Sequence, residues 1–97
     1  TDEIRDPQTL EIWLDVNGEL RQSSHTRDMI FSCAKIVSYC SHYLTLLPGD
    51  IICTGTPSGV ALGIKDRDAF LKPGDVLTLG IKNLGEQRQR VVPFPGK

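Results

Sequence analysis

Six consecutive residues, Thr54-Gly55-Thr56-Pro57-Ser58-Gly59, combine three hydroxyl side chains with two glycines and a proline. Hydroxyl groups both donate and accept hydrogen bonds, and glycine lets backbone N–H groups approach a ligand closely. Such a loop can hold a carboxylate or an enolate oxygen without any charged side chain. Composition alone supports a second reading equally, a Gly/Pro-rich turn between strands. The stretch is not a phosphate-binding P-loop, because the spacing differs and no Lys-Ser/Thr pair opens a helix.

The other residues able to do chemistry are few. His25 and His42 are the only histidines, and both read as solvated, one ahead of a helix and one on its polar side. No Ser-His-Asp set is legible from the spacing. Cys33, Cys40 and Cys53 are odd in number, form no CxxC and have no histidine at ligand spacing. That excludes a disulfide framework and a cysteine metal site, and leaves small buried apolar residues in a reducing compartment. Asp2, Glu3 and Asp6 read as a mobile acidic terminus. Asp66 and Asp68, within IKDRDAF, read as a solvated loop, long and polar enough to serve as a flap.

These residues need elements to position them. Leu10, Ile12, Leu14 and Val16 alternate with Glu11, Trp13 and Asp15, and Asn17-Gly18 follows at once. Alternation ending in Asn-Gly predicts a hairpin, with strands at 10–16 and 19–22. Met29, Cys33, Val37, Cys40 and Leu44 recur at helical spacing, which predicts a helix of about twenty residues capped by Thr26 and ending near Tyr43 to Thr45. Pro48-Gly49 suits a type II turn. Asp50 then leads into a short apolar strand, Ile51-Ile52-Cys53, that would carry the hydroxyl-rich loop. Pro73-Gly74-Asp75 repeats the turn chemistry ahead of a last hairpin, Val76–Lys82 to Gln87–Val92. The sum is an α+β chain, mostly β, with one helix packed on a sheet.

Bulk properties narrow the function. The chain has 97 residues and a formal charge of −1, enough for one small domain. No basic run or basic-aromatic stripe marks a nucleic-acid surface. No apolar run reaches membrane-spanning length, and the opening TDEIRDPQ is not a signal peptide. The expected location is cytoplasmic.

Taken together, LDVNGELRQ, TRDMIFS, LLPGDIICTGTPSGV and FLKPGDVLTLGIKNLG resemble, in order and spacing, the C-terminal part of the fumarylacetoacetate hydrolase family, from Asp2 to Val92. The resemblance implies a mixed β-sandwich roll, with residues 1–97 as the C-terminal half of the catalytic domain. It implies an enzyme dependent on Mg²⁺ or Mn²⁺ and acting on small 2-oxo or 1,3-dicarbonyl acids. The reactions it implies are acylpyruvate C–C hydrolysis, oxaloacetate decarboxylation or dienedioate isomerisation, usually in a homodimer. It assigns substrate contact to Thr56, with Thr54 and Gly55 shaping the loop. It also implies that the metal ligands and the acid–base residues lie upstream, so that no catalytic residue and no metal ligand is expected in this chain. The alternative is a truncated, non-catalytic fragment that only packs or binds a partner.

Overall fold

The structure is a computed structural model, and it describes residues 2–65 and 67–96. Five regular elements carry it: strands β1 (Glu11–Val16) and β2 (Glu19–His25), helix α1 (Cys33–Ser41), and strands β3 (Val76–Ile81) and β4 (Gly85–Arg90). Short 3₁₀ turns occur at Thr26–Asp28, Ala61–Gly63 and Arg67–Ala69. The strands form one antiparallel sheet in the order β2-β1-β3-β4. The chain is thus mostly strand with one helix, as its sequence predicts.

The first hairpin turns at Asn17 (φ 53°) and Gly18 (φ 82°), as the Asn-Gly pair demands. β2 runs on to His25, three residues beyond the expected end. Between Leu14 and Asp15 the register slips: Leu14 pairs with Gln22, yet Asp15 pairs with Leu20. Arg21 is the extra residue of a β-bulge. Leu14 and Asp15 point to opposite faces of β1, so the bulge also puts Leu20 and Gln22 on opposite faces although they are two residues apart.

The helix is shorter than its apolar spacing predicts. Thr26 does not cap it, because the ladder of the hairpin claims that residue. The Thr26 N–H donates to the Leu10 carbonyl at 2.8 Å, and its Oγ1 accepts from the Leu10 N–H at 3.0 Å. Ser32 is the cap instead, its Oγ accepting from the Lys35 N–H at 3.2 Å. Gln8 fixes the approach, with Oε1 accepting the Cys33 N–H at 2.7 Å and Nε2 donating to the Thr26 carbonyl at 2.7 Å. The inner face of α1 is Cys33, Ile36 and Cys40, all half-buried.

Both Pro-Gly-Asp segments are built alike. The Asp50 N–H donates to the Leu47 carbonyl at 3.1 Å, and the Asp75 N–H to the Lys72 carbonyl at 3.1 Å. Each aspartate returns the bond, accepting the N–H of Leu47 at 2.8 Å or of Lys72 at 2.7 Å. The second turn is also tied to the hairpin: Asn17 Nδ2 donates to Asp75 Oδ1 at 2.9 Å, and Asn17 Oδ1 accepts the Val76 N–H at 2.9 Å.

Those bonds stabilise the charged form of Asp75. The Lys72 N–H first, and the Asn17 amide second, hold its carboxyl below the usual carboxylate range. A depressed native value stabilises the fold above the unfolded-state value, and the benefit is lost as pH falls through the native one. Thermal melts of the protein between pH 7 and pH 3 are therefore expected to show a smaller acid-induced fall in Tm for Asp75→Asn than for the unmodified chain. Identical slopes would show that the turn does not sense its charge.

The expected strand at Ile51-Ile52-Cys53 is not formed. No ladder partner reaches it among the described residues, and Ile51 stands 89% exposed. Cys53 is accordingly exposed rather than buried, whereas Cys33 and Cys40 are half-buried as expected. Among the described residues Leu10 alone is buried. The radius of gyration is 16.2 Å, against about 12.5 Å for a self-contained domain of this length. Ile30, Leu62 and Phe94 leave large apolar surface open to solvent. This sheet and helix form one side of a core and do not close it themselves.

Candidate functional site

The hydroxyl-rich loop is held in place by Gln22. Its Nε2 donates to Thr56 Oγ1 at 2.9 Å and to the Pro57 carbonyl at 2.9 Å, with the Ser58 carbonyl at 3.3 Å. The bulge makes this possible by turning Gln22 toward the loop. It also sets the loop's far end. Gly59 lies against the carbonyl of Arg21, where a Cβ would collide with the oxygen, and its φ of 104° is a conformation L side chains rarely adopt. The loop is therefore clamped twice by adjacent residues of β2, once by a side chain and once by a backbone group.

The clamp decides what Thr56 offers. Its Oγ1 already accepts from Gln22, so its own hydroxyl proton is available to donate outward. Residues 54–58 line one side of a cleft of about 510 Å³. The opposite side is the end of β2 and the turn that follows it, with Ser24, His25 and Asp28 as polar groups and Met29 and Ile36 as apolar ones. The expected substrate residues Thr54, Gly55 and Thr56 thus come together in a concave site, facing hydrogen-bonding groups from another segment.

His25 was expected in solvent, but it is half-buried and lines this cleft. Its Nδ1 accepts the Arg27 N–H at 3.1 Å. His42 does follow the sequence reading. It is exposed at the end of α1, its Nδ1 bonded to the Ser38 carbonyl at 2.6 Å. Of the charged loop, Asp66 lies outside the described residues. Asp68 pairs with Lys72 at 2.7 Å, a bond that holds its carboxyl below the usual range. Asp68 does not line the cleft. Gln22 was missed altogether, and the only signal for it would have been the bulge.

A test of the clamp follows from hydrogen-bond chemistry. Gln22→Leu removes the donor, so it should lower kcat/KM by roughly tenfold through a loosened loop. Gln22→Glu should be worse, because a carboxylate faces two carbonyl oxygens and draws the Thr56 proton to itself. Equal effects of the two changes would mean that only the volume of Gln22 matters.

A family model described as fumarylacetoacetate (FAA) hydrolase C-terminal matches residues 1–92. The chain belongs to the fumarylacetoacetate hydrolase family. It is 52% identical over 90 residues to the 2,4-didehydro-3-deoxy-L-rhamnonate hydrolase of Sphingomonas sp. (strain SKA58), covering 93% of this chain and 32% of that protein. Among solved structures it superimposes on the maleylpyruvate hydrolase of Sphingobium sp. SYK-6, in complex with manganese(II) and pyruvate, with a TM-score of 0.83 and 38% identity over 95% of this chain and 32% of that one. The fumarylpyruvate hydrolase of Pseudomonas aeruginosa, in complex with Mn²⁺ and pyruvate, gives a TM-score of 0.81 and 37% identity over 94% of this chain and 36% of that one. The chain spans about a third of the length of these relatives.

This fumarylacetoacetate hydrolase family chain brings no three His, Cys, Asp or Glu side chains together among its described residues. They do not make a divalent-metal site by themselves. No helix among the described residues is long and apolar enough to cross a membrane.

Proposed function

We propose that residues 1–97 are the C-terminal half of the catalytic domain of a longer, divalent-metal-dependent enzyme, and that they form the substrate-holding wall of its active site. The reaction is hydrolysis of a carbon–carbon bond in a short acylpyruvate; oxaloacetate decarboxylation is the second reaction the family resemblance allows. One observation carries this reading: the loop clamped by Gln22 presents the Thr56 hydroxyl proton to a cleft. Manganese and pyruvate in the solved relatives support it.

In this proposal Thr56 donates to an oxygen of the substrate, and the backbone around Gly55 shapes the surface that oxygen meets. Thr54 completes the same edge. Rigid donors of this kind orient the substrate before the reaction and need no rearrangement as charge builds on oxygen. The cation, Mg²⁺ or Mn²⁺, belongs to residues of the longer chain, as do the acid–base groups. The open apolar surface of the sheet and helix is the face that the rest of that enzyme covers. The proposal includes a homodimer, as the family resemblance implies, and a cytoplasmic location, which the three free cysteines suit.

The experiment is a pyruvate-release assay on acylpyruvates, run on the longer enzyme and on the 97-residue chain. The longer enzyme is expected to be active with Mn²⁺ and silenced by EDTA, and the isolated chain to be inactive. Gel filtration of the same preparations reads the dimer. Absence of pyruvate release from every acylpyruvate, or activity indifferent to EDTA, would overturn the reading and leave the chain as a packing module.

A further inference from the structure

The wall of the cleft opposite the loop has its own chemistry. His25 accepts the Arg27 N–H through Nδ1, so the ring carries its proton on Nε2 and is a donor there. Three residues on, Asp28 is exposed, lines the same cleft and has no side-chain partner among the described residues. An ionised carboxylate only accepts hydrogen bonds. Arg27, between them in sequence, is exposed and does not line the cleft. Lys35 is directed elsewhere, with its Nζ over the Phe31 ring at 5.0 Å from the centroid. Asp28 is therefore the one formally charged side chain that lines the cleft among the described residues.

A donor and an acceptor-only group from a single turn match a hydroxyl, which gives one hydrogen bond and takes another. They do not match a second carboxylate, which would find one donor and a like charge. Specificity of this kind comes as much from the repulsive element as from the attractive one.

We propose that His25 and Asp28 read a hydroxyl on the tail of the substrate, so that the preferred acid is a hydroxylated 2,4-dioxo acid rather than a dicarboxylic one. The inference rests on the function proposed above and adds a substrate class to it. Thr56 and its loop hold the acid end, and the turn after β2 selects the tail.

The test compares kcat/KM of the longer enzyme, loaded with Mn²⁺, on three acids: acetylpyruvate, its 5-hydroxy derivative (5-hydroxy-2,4-dioxopentanoate), and fumarylpyruvate. The hydroxylated acid is expected to lead each of the others by about tenfold or more, since a site built to hydrogen-bond a hydroxyl rejects the analogue lacking it. His25→Leu is expected to shrink the ratio of hydroxylated acid to acetylpyruvate by about tenfold. A fall in both rates at a constant ratio would mark a merely structural histidine. Asp28→Asn is expected to narrow the gap to fumarylpyruvate, because an amide can donate to a carboxylate. Turnover of acetylpyruvate without a preference for its hydroxy derivative, or a preference for fumarylpyruvate, overturns the inference and leaves the proposed function standing. Cleavage of none of the three overturns both. The wild-type ratios decide the matter even where a variant fails to fold.

Discussion

Replacing Gly59 by alanine in the longer enzyme is expected to lower kcat/KM by about a hundredfold, the scale of a reacting group displaced by about 1 Å. Two effects act in the same direction. The new Cβ would overlap the Arg21 carbonyl oxygen, which is backbone and cannot step aside as a flexible side chain would. The backbone at Gly59 is also left-handed, which costs a residue with a Cβ roughly 1–2 kcal/mol. The loop must then lift from β2, and Gln22 loses its bonds to the loop. Gly63→Ala is the control: its Cβ meets nothing within 4 Å and its φ is not left-handed. Gly55→Ala falls between them, left-handed but with open space around it. Steady-state kinetics beside thermal melts of the three variants check this order. A Gly59→Ala enzyme as active as Gly63→Ala would show that the loop does not depend on its seat against Arg21.

The second large effect is expected at Thr56. Valine keeps the shape and removes the hydroxyl, and the Gln22 bond to the Pro57 carbonyl at 2.9 Å still holds the loop. What is lost is one donor to a charged ligand, worth roughly tenfold or more in kcat/KM. Thr56→Ser keeps the donor and should recover most of the activity. Separate measurement of kcat and KM shows where the hydrogen bond acts. A fall in kcat and kcat/KM together means that it forms in the transition state, while a rise in KM alone means uniform binding. Kinetics unchanged by valine would remove Thr56 from the site.

The features legible in the sequence were those decided by neighbouring residues. Asn17-Gly18 and the two Pro-Gly-Asp turns encode their own backbone angles, so they are where their residues predict. The hydroxyl-rich loop was recognisable from composition, but its partner was not. Alternation along β2 places Gln22 on the same face as Leu20, and only the bulge at Arg21 reverses that. The helix start was misplaced because Thr26 is a good cap in isolation, and no local signal says that Leu10 has already taken its hydrogen bonds. Ile51-Ile52-Cys53 has strand composition, yet a strand exists only when another strand pairs with it. His25 was read as solvated because its cleft is made with a loop some thirty residues away. Local chemistry wrote the turns, and long-range contacts wrote the site.

The bulge has one more consequence, for changes of length rather than of residue. Hairpin turns ordinarily tolerate insertions and deletions. Here the number of residues between Gly18 and Gln22 fixes both anchors of the loop. Deleting one of them would bring β2 into even pairing with β1, turn Gln22 away and withdraw the Arg21 carbonyl from Gly59, although every residue of the loop itself remained. Adding one would be equally disruptive. The spacing of this hairpin is as much a part of the active site as any side chain, and natural variants of this segment are expected to differ by substitution and not by length.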